Sequence, residues 1–307
     1  MPEDSPVPDA RSRYRAGFWL AIGAAFGFSF KAIFVKLAYL VPGPAPVDAV
    51  TLLALRMAFA APVFGIAALR TRSGVSLSPR QWAALVGVGL AGYYGASILD
   101  FWGLQYITAG LERLILFTYP TLTVLMGVLF FGKRLQRMEL AAILLTYAGV
   151  AAAFAHDLNL AAEAKVVWLG AGLVFGSSLS YAVYLSAGGQ FILRLGSVRF
   201  TALAMAVATA GTLVHYLLAR PWGDVLHQPW PIYALTFGMA LVSTVLPVFM
   251  QSAAIRAMGA GPASIVGMAG PLATLFFGWL LLGETLSSWQ LFGASLVILG
   301  VFLVGRR

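Results

Sequence analysis

The chain has 307 residues, of which 60% are apolar and only 10% are charged, and its formal net charge is +9. A soluble domain carries about 25% charged residues, so this composition indicates a protein of the lipid bilayer. The absence of cysteine excludes disulfides and thiolate metal sites, and the few histidines lack ligand spacing, so we expect neither a metal nor a cofactor. The cations lie in short loops and form no basic tail, which argues against a nucleic-acid partner.

Residues 1–15 are polar and rich in proline, and we expect them to form a disordered cytoplasmic tail. After them, runs of roughly 20 mostly apolar residues predict ten transmembrane helices. The predicted helices cover Ala16–Leu40, Val47–Leu69, Gln81–Leu104, Ala109–Phe131, Met138–Ala155, Val166–Phe191, Val198–Ala219, Pro231–Ile255, Gly261–Leu282 and Ser287–Val304.

The Lys and Arg residues of the connecting loops are unequally divided between the two sides of this bundle. If the N-terminus is cytoplasmic, fourteen of them fall on the cytoplasmic side, and only Lys165 and Arg220 fall on the other. Because short cytoplasmic loops are enriched in Lys and Arg, we expect both termini to be cytoplasmic.

The second half of the chain repeats the first after a shift of 151 residues without a gap. The matched identical residues are Gly110 and Gly261, Pro120 and Pro271, Thr123 and Thr274, Gly127 and Gly278, Gly132 and Gly283, Leu135 and Leu286, Leu140 and Leu291, and Gly149 and Gly300. Each half holds five predicted helices, and an odd number places the two copies in opposite orientations. We therefore expect an all-α membrane protein whose two inverted repeats, residues 16–155 and 166–304, enclose a central cavity.

The ends of the two halves carry a family resemblance. The first reads ITAGLERLILFTYPTLTVLMGVLFFGKRLQRMELAAILLTYAGV, and the second reads MGAGPASIVGMAGPLATLFFGWLLLGETLSSWQLFGASLVILGV. With ten predicted helices and the opening segment FSFKAIFVKLAY, the chain resembles the EamA-type transporters of the drug/metabolite transporter superfamily. The resemblance covers nearly the whole chain after Ala16 and implies a secondary transporter of a bacterial inner membrane. One departure is Lys133 in the first half, where the second half has Glu284.

Six charged residues lie at least three positions from either end of their predicted helices, where a charge costs about 2.5 kcal/mol or more at the membrane centre. They all belong to the first half and are Lys31, Lys36, Arg56, Asp100, Glu112 and Arg113. We expect them to surround a shared cavity, with acid–base pairs that lower the desolvation cost. Four cations and two carboxylates give a formal charge of +2, which predicts a substrate with a carboxylate or another anionic group.

Within this set, Lys31 or Arg56 is the expected contact of the substrate anion, because both fall near the middle of their helices. Asp100 or Glu112 is expected to pair with a cation or to carry a coupling proton. The alternative for Asp100 is that it only holds an arginine in place.

Glu112, Arg113 and Lys36 are assigned to coupling or to charge pairs. Other interpretations stay open for all three. Lys36 lies near a helix end and is long enough to extend to the membrane interface. Glu112 and Arg113 begin a helix, where an interfacial position is an equal alternative and where a carboxylate is favoured by the helix dipole.

Further candidates for the cavity lining are polar or aromatic, with helix packing or an interfacial aromatic belt as the alternative. They are Gln251, Tyr94, Trp102 and Tyr184. Pro120 and Pro271 are matched across the repeat and are expected to act as paired bending points during gating, with simple packing irregularity as the alternative. Glu284 is expected to cap the last helix near Ser287.

These observations predict an exporter of small organic metabolites, amino-acid-like or otherwise carboxylate-bearing, that works by alternating access. The alternative within the same fold is a carrier for drugs or nucleosides. An intramembrane enzyme is disfavoured because no motif of paired acids or histidines is present, and a non-transporting scaffold or receptor would not need buried charges. The expected partners are a small-molecule substrate and membrane lipid; the sequence leaves the oligomeric state open, and a monomer is compatible with it.

Overall fold

The computed structural model describes residues 10–43, 47–71, 76–132, 134–160, 163–258 and 260–305. Within these ranges the protein is helical and contains no β-strand. The α-helices are α1 (Ala10–Tyr39), α2 (Ala49–Arg70), α3 (Pro79–Gly89), α4 (Ala96–Gly103), α5 (Ala109–Leu116), α6 (Tyr119–Phe131), α7 (Arg137–Leu160), α8 (Ala164–Leu195), α9 (Ser197–Ala219), α10 (Trp230–Ala240), α11 (Leu246–Met258), α12 (Ala260–Gly267), α13 (Gly270–Leu282) and α14 (Ser288–Gly305). A π-helical turn at Leu90–Gly95 joins α3 to α4, and another at Leu241–Val245 joins α10 to α11.

The start of α1 differs from the sequence prediction. Residues 10–15, which were expected to be disordered, already belong to the helix, and residues 1–9 lie outside the described ranges. This segment contains no glycine or proline and is rich in arginine, which is a good helix former, so the helix extends back from the apolar stretch.

Eight helical segments of the described ranges are long and apolar enough to cross a membrane. They correspond to the first eight predicted helices. Two further apolar helices, Gly270–Leu282 and Ser288–Leu303, are shorter. Large apolar side chains such as Leu129, Phe130 and Leu193 are 76%, 76% and 88% exposed, so the outer surface of the bundle suits contact with lipid.

The fourth and ninth predicted helices are each divided into two half-helices, α5 and α6 in the first half of the chain and α12 and α13 in the second. Pro120 and Pro271 lie in the first turn of α6 and α13, where a missing N–H interrupts no helical hydrogen bond. Both prolines were expected inside continuous helices, whereas in the structure each follows a break.

Local structure recurs at the offset of the sequence repeat. The two helix breaks, like the two π-helical turns, lie 151 residues apart. Gly132 and Gly283 end α6 and α13 with φ angles of 62° and 67°, a left-handed conformation that glycine adopts without strain. The repeat is therefore present in the backbone as well as in the residue identities.

The main helix contacts join the two halves of the chain: α7 packs on α14, α1 on α11 and α13, α2 on α9, and α4 on α8. Glycines allow the closest of these approaches. A Cβ atom on Gly293 would lie 2.5 Å from the carbonyl oxygen of Gly149, and one on Gly300 would lie 2.7 Å from that of Ala142. Small residues allow membrane helices to approach in this way. The halves consequently interlock in one bundle, and the buried core lies largely between them.

Candidate functional site

The side chains of Lys31, Asp100 and Glu112 meet inside the bundle. Lys31 Nζ lies 2.7 Å from Asp100 Oδ2 and 3.0 Å from Glu112 Oε1. The Lys31 side chain is 16% exposed, and those of Asp100 and Glu112 are 2% and 0% exposed. Because a charge removed from water is tolerated only beside an opposite charge, the contact explains how two carboxylates are held here. We call these three residues the ionic triad.

Three helices bring the triad together. Lys31 lies on α1, Asp100 in the last turn of α4 and Glu112 in the first turn of α5. The connection between α4 and α5 is short, so both carboxylates lie near the same end of the bundle. The Thr108 side chain accepts a hydrogen bond from the backbone N–H of Leu111 and caps α5 one turn before Glu112. Helix α1 packs against both α5 and α13, which holds the lysine over the acids.

Arg56 on α2 is 6% exposed and is held by residues from both halves. Its Nε donates a hydrogen bond to Thr244 Oγ1 at 3.0 Å, and its Nη1 donates one to Ser97 Oγ at 3.4 Å. The guanidinium carbon lies 5.5 Å from the centre of the Phe101 ring. Thr244 belongs to one π-helical turn and Ser97 follows the other; such turns are frequent at functional sites. No carboxylate of the described residues lies within 4.0 Å of Arg56.

Arg113 follows Glu112 in sequence but does not pair with it. Its guanidinium carbon lies 5.3 Å from the centre of the Phe117 ring. A Cβ atom on Gly270 would lie 3.1 Å from Arg113 Nη2, so the side chain rests against the backbone at the start of α13. The residue is 9% exposed, and its Nε has no hydrogen-bond partner in the described part of the chain.

The aromatic residues that the sequence indicated lie in two separate groups. The Tyr94 hydroxyl is 2.9 Å from His215 Nδ1, and the Trp102 ring centre is 6.2 Å from that of the same histidine. Tyr184 is 5% exposed, and its hydroxyl donates a hydrogen bond to that of Tyr93 at 3.3 Å. No hydrogen bond between described residues joins either group to the ionic triad.

Two other residues singled out by the sequence stand apart from the triad. Gln251 is half-buried on α11, and its amide forms no hydrogen bond with the triad in the described ranges. Lys36 is half-buried on α1, five residues after Lys31, and lies more than 4.0 Å from every described carboxylate.

Glu284 ties the two halves together at one end of the bundle. Its carboxylate accepts hydrogen bonds from the backbone N–H groups of Ala109 at 2.8 Å and Gly110 at 3.4 Å. The acceptor lies between α13 and α14, and the donors are the first residues of α5. We call this contact the Glu284 latch. Glu112 is three residues beyond Ala109, which is about 4.5 Å along a helix axis, so the latch lies within one helical turn of the residue that carries one acid of the triad.

Asp157, near the end of α7, forms a second tie at the same end. It accepts hydrogen bonds from Thr108 Oγ1 at 2.6 Å and from Gln290 Nε2 at 2.9 Å. Since Thr108 caps α5 and Gln290 lies in the first turn of α14, this carboxylate also links the two halves.

The prediction that Glu284 caps the last helix was wrong. Ser287 caps α14 itself, because its hydroxyl accepts a hydrogen bond from the backbone N–H of Gln290 at 3.1 Å. The left-handed Gly283 instead turns the chain so that the next side chain reaches α5. Gly278 leaves room for it, since a Cβ atom there would lie 2.9 Å from Glu284 Oε2. The one available signal was the unequal match of Lys133 with Glu284.

Among the described residues, no three His, Asp or Glu side chains lie together in a way that could hold a metal ion. The candidate site is therefore built from ion pairs, hydroxyls and aromatic rings.

Comparisons with known proteins agree with this architecture. The family model described as "EamA-like transporter family" matches residues 15–155 and 168–306. The "Uncharacterized transporter YcbK" of Bacillus subtilis is 30% identical over 283 residues, which cover 90% of this chain and 87% of that protein.

A second relative carries a more specific name. The "Probable amino-acid metabolite efflux pump" of Salmonella typhimurium is 25% identical over 231 residues, which cover 71% of this chain and 75% of that protein. A solved crystal structure shares the fold with a TM-score of 0.63 at 17% identity, covering 94% of this chain and 96% of that one.

Proposed function

The chain belongs to the EamA-like transporter family, and from this premise we propose that it exports small carboxylate-bearing solutes across a bacterial inner membrane. The protein is a multi-pass membrane transporter and not an enzyme.

We propose a topology of ten spans in two inverted repeats of five, with both termini in the cytoplasm. The ninth span is the broken pair α12 and α13, and the tenth is α14. The recurrence of breaks and π-helical turns at an offset of 151 residues supports two structurally equivalent halves. In such a bundle the site lies where the halves meet, and its exposure alternates as one half moves against the other. Pro120 and Pro271, next to the two breaks, are proposed to take part in this movement.

The ionic triad is the observation that carries the proposal. Three charged side chains with at most 16% exposure meet in the interior of a largely apolar bundle, and charges at such depth mark substrate or ion pathways. Two carboxylates share one ammonium, so the triad has one negative charge that a proton would neutralise. We propose that Asp100 and Glu112 carry the coupling proton and that Lys31 holds them in place.

Positive charge for the substrate comes from Arg56 and Arg113. Together with the triad they give three cations and two carboxylates, a formal charge of +1. A bound carboxylate would bring this sum to zero, which favours an anionic solute over a cationic one. The name of the Salmonella relative, an amino-acid metabolite efflux pump, agrees with a carboxylate-bearing substrate.

Reconstituted protein tests the proposal. Proteoliposomes are loaded with amino acids, other organic acids, nucleosides and organic cations, and efflux is compared for wild type, Lys31→Ala and Arg56→Ala, with the exposed Arg194→Ala as control. We expect efflux of at least one carboxylate-bearing solute and a roughly tenfold loss in either buried variant. If both variants insert correctly and transport at the wild-type rate, the proposed site is wrong.

The same panel decides between substrate classes. Efflux restricted to nucleosides or organic cations would establish a drug or nucleoside carrier of this fold in place of the carboxylate exporter. A wild-type protein that moves no solute would instead support a scaffold or receptor.

A further inference from the structure

Arg113 carries a buried positive charge that forms no salt bridge with a described residue; Glu112 and Asp100 attract it only from beyond 4.0 Å. Its side chain is 9% exposed, its Nε lacks a hydrogen-bond partner, and no described carboxylate lies within 4.0 Å of it. Its neighbour Glu112 is occupied by Lys31 at 3.0 Å. A buried charge without a partner destabilises a fold, and an ionisable group inside a membrane protein marks a functional position.

The surroundings of this guanidinium add to its attraction for anions. It rests against Gly270, the first residue of α13, and the residue that precedes this helix, Ala269, supplies no side-chain cap. The N-terminus of a helix carries a partial positive charge. The arginine and the helix end therefore both favour a negative group between the two broken helices.

A row of aromatic rings leads away from Arg113. The guanidinium lies over the ring of Phe117. The centre of this ring is 6.2 Å from that of Tyr119, and the Tyr119 ring centre is 5.1 Å from that of Tyr181. The Tyr181 ring stacks on that of Tyr184 with their centres 5.6 Å apart. Tyr119 and Tyr181 are only half-buried, and their hydroxyls form no hydrogen bond with another described residue. This row therefore offers flat apolar contact together with unused polar groups.

We infer that Arg113 binds the carboxylate of the transported solute and that the row Phe117, Tyr119, Tyr181 receives a flat, mainly apolar body, such as an aryl ring, attached to it. The inference rests on the proposed function and specifies the residue and the substrate class. Arg56, already held by Thr244 and Ser97, then acts as a fixed positive charge. The fork of the guanidinium suits bidentate recognition of a carboxylate.

Matched probe pairs test the assignment by binding to the purified full-length protein. The probes are 3-phenylpropanoate, its amide 3-phenylpropanamide, and the unbranched hexanoate. Wild type is expected to bind the aryl carboxylate at least tenfold more tightly than the amide and several-fold more tightly than hexanoate. Arg113→Gln is expected to abolish the preference over the amide, and the exposed Arg194→Gln to leave it unchanged. A preference that survives in Arg113→Gln, or that is absent from wild type, would overturn the inference.

The unliganded melting temperature separates a binding role from a structural one. Because the Arg113 guanidinium forms no salt bridge with a described residue, Arg113→Gln is expected to melt at the wild-type temperature or above it. A lower melting temperature with an unchanged preference would identify a structural arginine. If this variant does not insert, Arg113→Lys is the alternative, because it keeps the positive charge but lacks the forked guanidinium. This variant is expected to prefer the carboxylate over the amide several-fold less than wild type does. A preference equal to that of wild type would count against the inference.

Lipid competition and flux measurements distinguish the inference from its alternatives. Wild type could show no preference for the carboxylate probe while an anionic phospholipid competes for binding at Arg113. That result would assign the position to a lipid headgroup and overturn the inference. If wild type exports neutral or cationic solutes from proteoliposomes without preference for the acid, this inference is overturned, but the protein is still a transporter. Absence of flux for every solute would instead refute the proposed function.

Discussion

Glu284 and Ala109 are 175 residues apart in the chain, yet the carboxylate of the first accepts a hydrogen bond from the backbone N–H of the second at 2.8 Å. The contact satisfies a donor at the start of α5 that the helix itself leaves unpaired. Since Glu112 lies in the first turn of α5, the latch fixes the helix end that carries one acid of the ionic triad. It also joins the two halves of the chain, which separate at this end in the proposed alternating-access movement.

Replacement of Glu284 by alanine should loosen this end of the bundle. Loss of hydrogen bonds to a charged group costs about 1.5–3 kcal/mol, and we expect the lower part of that range because Glu284 is partly exposed. Thermal or denaturant unfolding measures the loss. Glu163→Ala is the matched control, because Glu163 is exposed and its side chain caps no helix. Equal effects of the two substitutions would show that the latch does not stabilise the fold.

The latch should also respond to pH. Burial raises the pKa of the Glu284 carboxyl above its ordinary value of 4.5, although the Ala109 N–H and Lys36 act in the opposite direction and Asp157 adds to the rise. A carboxyl whose pKa is higher with the latch formed than with the latch broken binds its proton more tightly in the latched form. The resulting stabilisation is complete below pH 4.5 and is lost as the pH rises through the raised pKa. A rise in pH should therefore favour opening.

A distance measurement checks this pH response. The chain lacks cysteine, so spin labels can be placed at Tyr106→Cys and Leu286→Cys, which flank the latch and are 37% and 42% exposed. Between about pH 5 and about pH 8 the longer distances should gain population. Glu284→Gln, a neutral residue of the same shape, should remove the pH dependence; an unchanged profile in that variant would assign it to another group.

Lys31→Met should be severely destabilising, because it leaves two buried carboxylates without their shared cation. Removal of one partner from a buried ion pair costs about 3–5 kcal/mol. The triple variant Lys31→Met, Asp100→Asn, Glu112→Gln has no charge left to bury and should recover most of that stability while remaining inactive in transport. Unfolding and flux measured on the same preparations test both statements. A triple variant as unstable as the single one would show that the ion pairs are not the cause.

The contact between α7 and α14 predicts a steric effect. A Cβ atom on Gly293 would lie 2.5 Å from the carbonyl oxygen of Gly149, and backbone cannot yield as a side chain does. We expect Gly293→Ala to cost about 1–3 kcal/mol. Gly65→Ala on α2 is the control, since a Cβ there meets nothing within 4 Å. Similar melting temperatures for the two variants would contradict the close approach of these helices.

The sequence predicted some of these relationships and not others, for physical reasons. The depth of Lys31 and Asp100 in apolar segments was sufficient to expect them near each other, because an isolated charge in a membrane interior is costly. Sequence spacing could not show that Glu112 would join this lysine and leave its neighbour Arg113 unpaired. That choice depends on the direction in which α5 presents each side chain to α1 and α13.

The contacts between the two halves could also not be predicted from the sequence. Glu284 was expected to act within its own half, because a local cap is the simplest role for a carboxylate before a helix. Thr244 was not distinguished from other hydroxyls, since its pairing with Arg56 requires the packing of α2 against the α10–α11 segment. Gln251 was favoured for its position, but the contacts of the described residues do not join it to the triad.

The most direct test of the account is efflux from proteoliposomes with and without an opposing proton gradient, in wild type and in Asp100→Asn and Glu112→Gln, with Glu163→Gln as control. If the triad carries the coupling proton, the gradient accelerates efflux several-fold in wild type and in the control. Both triad variants then lose the response to the gradient but still exchange substrate across the membrane. Wild-type acceleration in the double variant Asp100→Asn, Glu112→Gln would contradict the account.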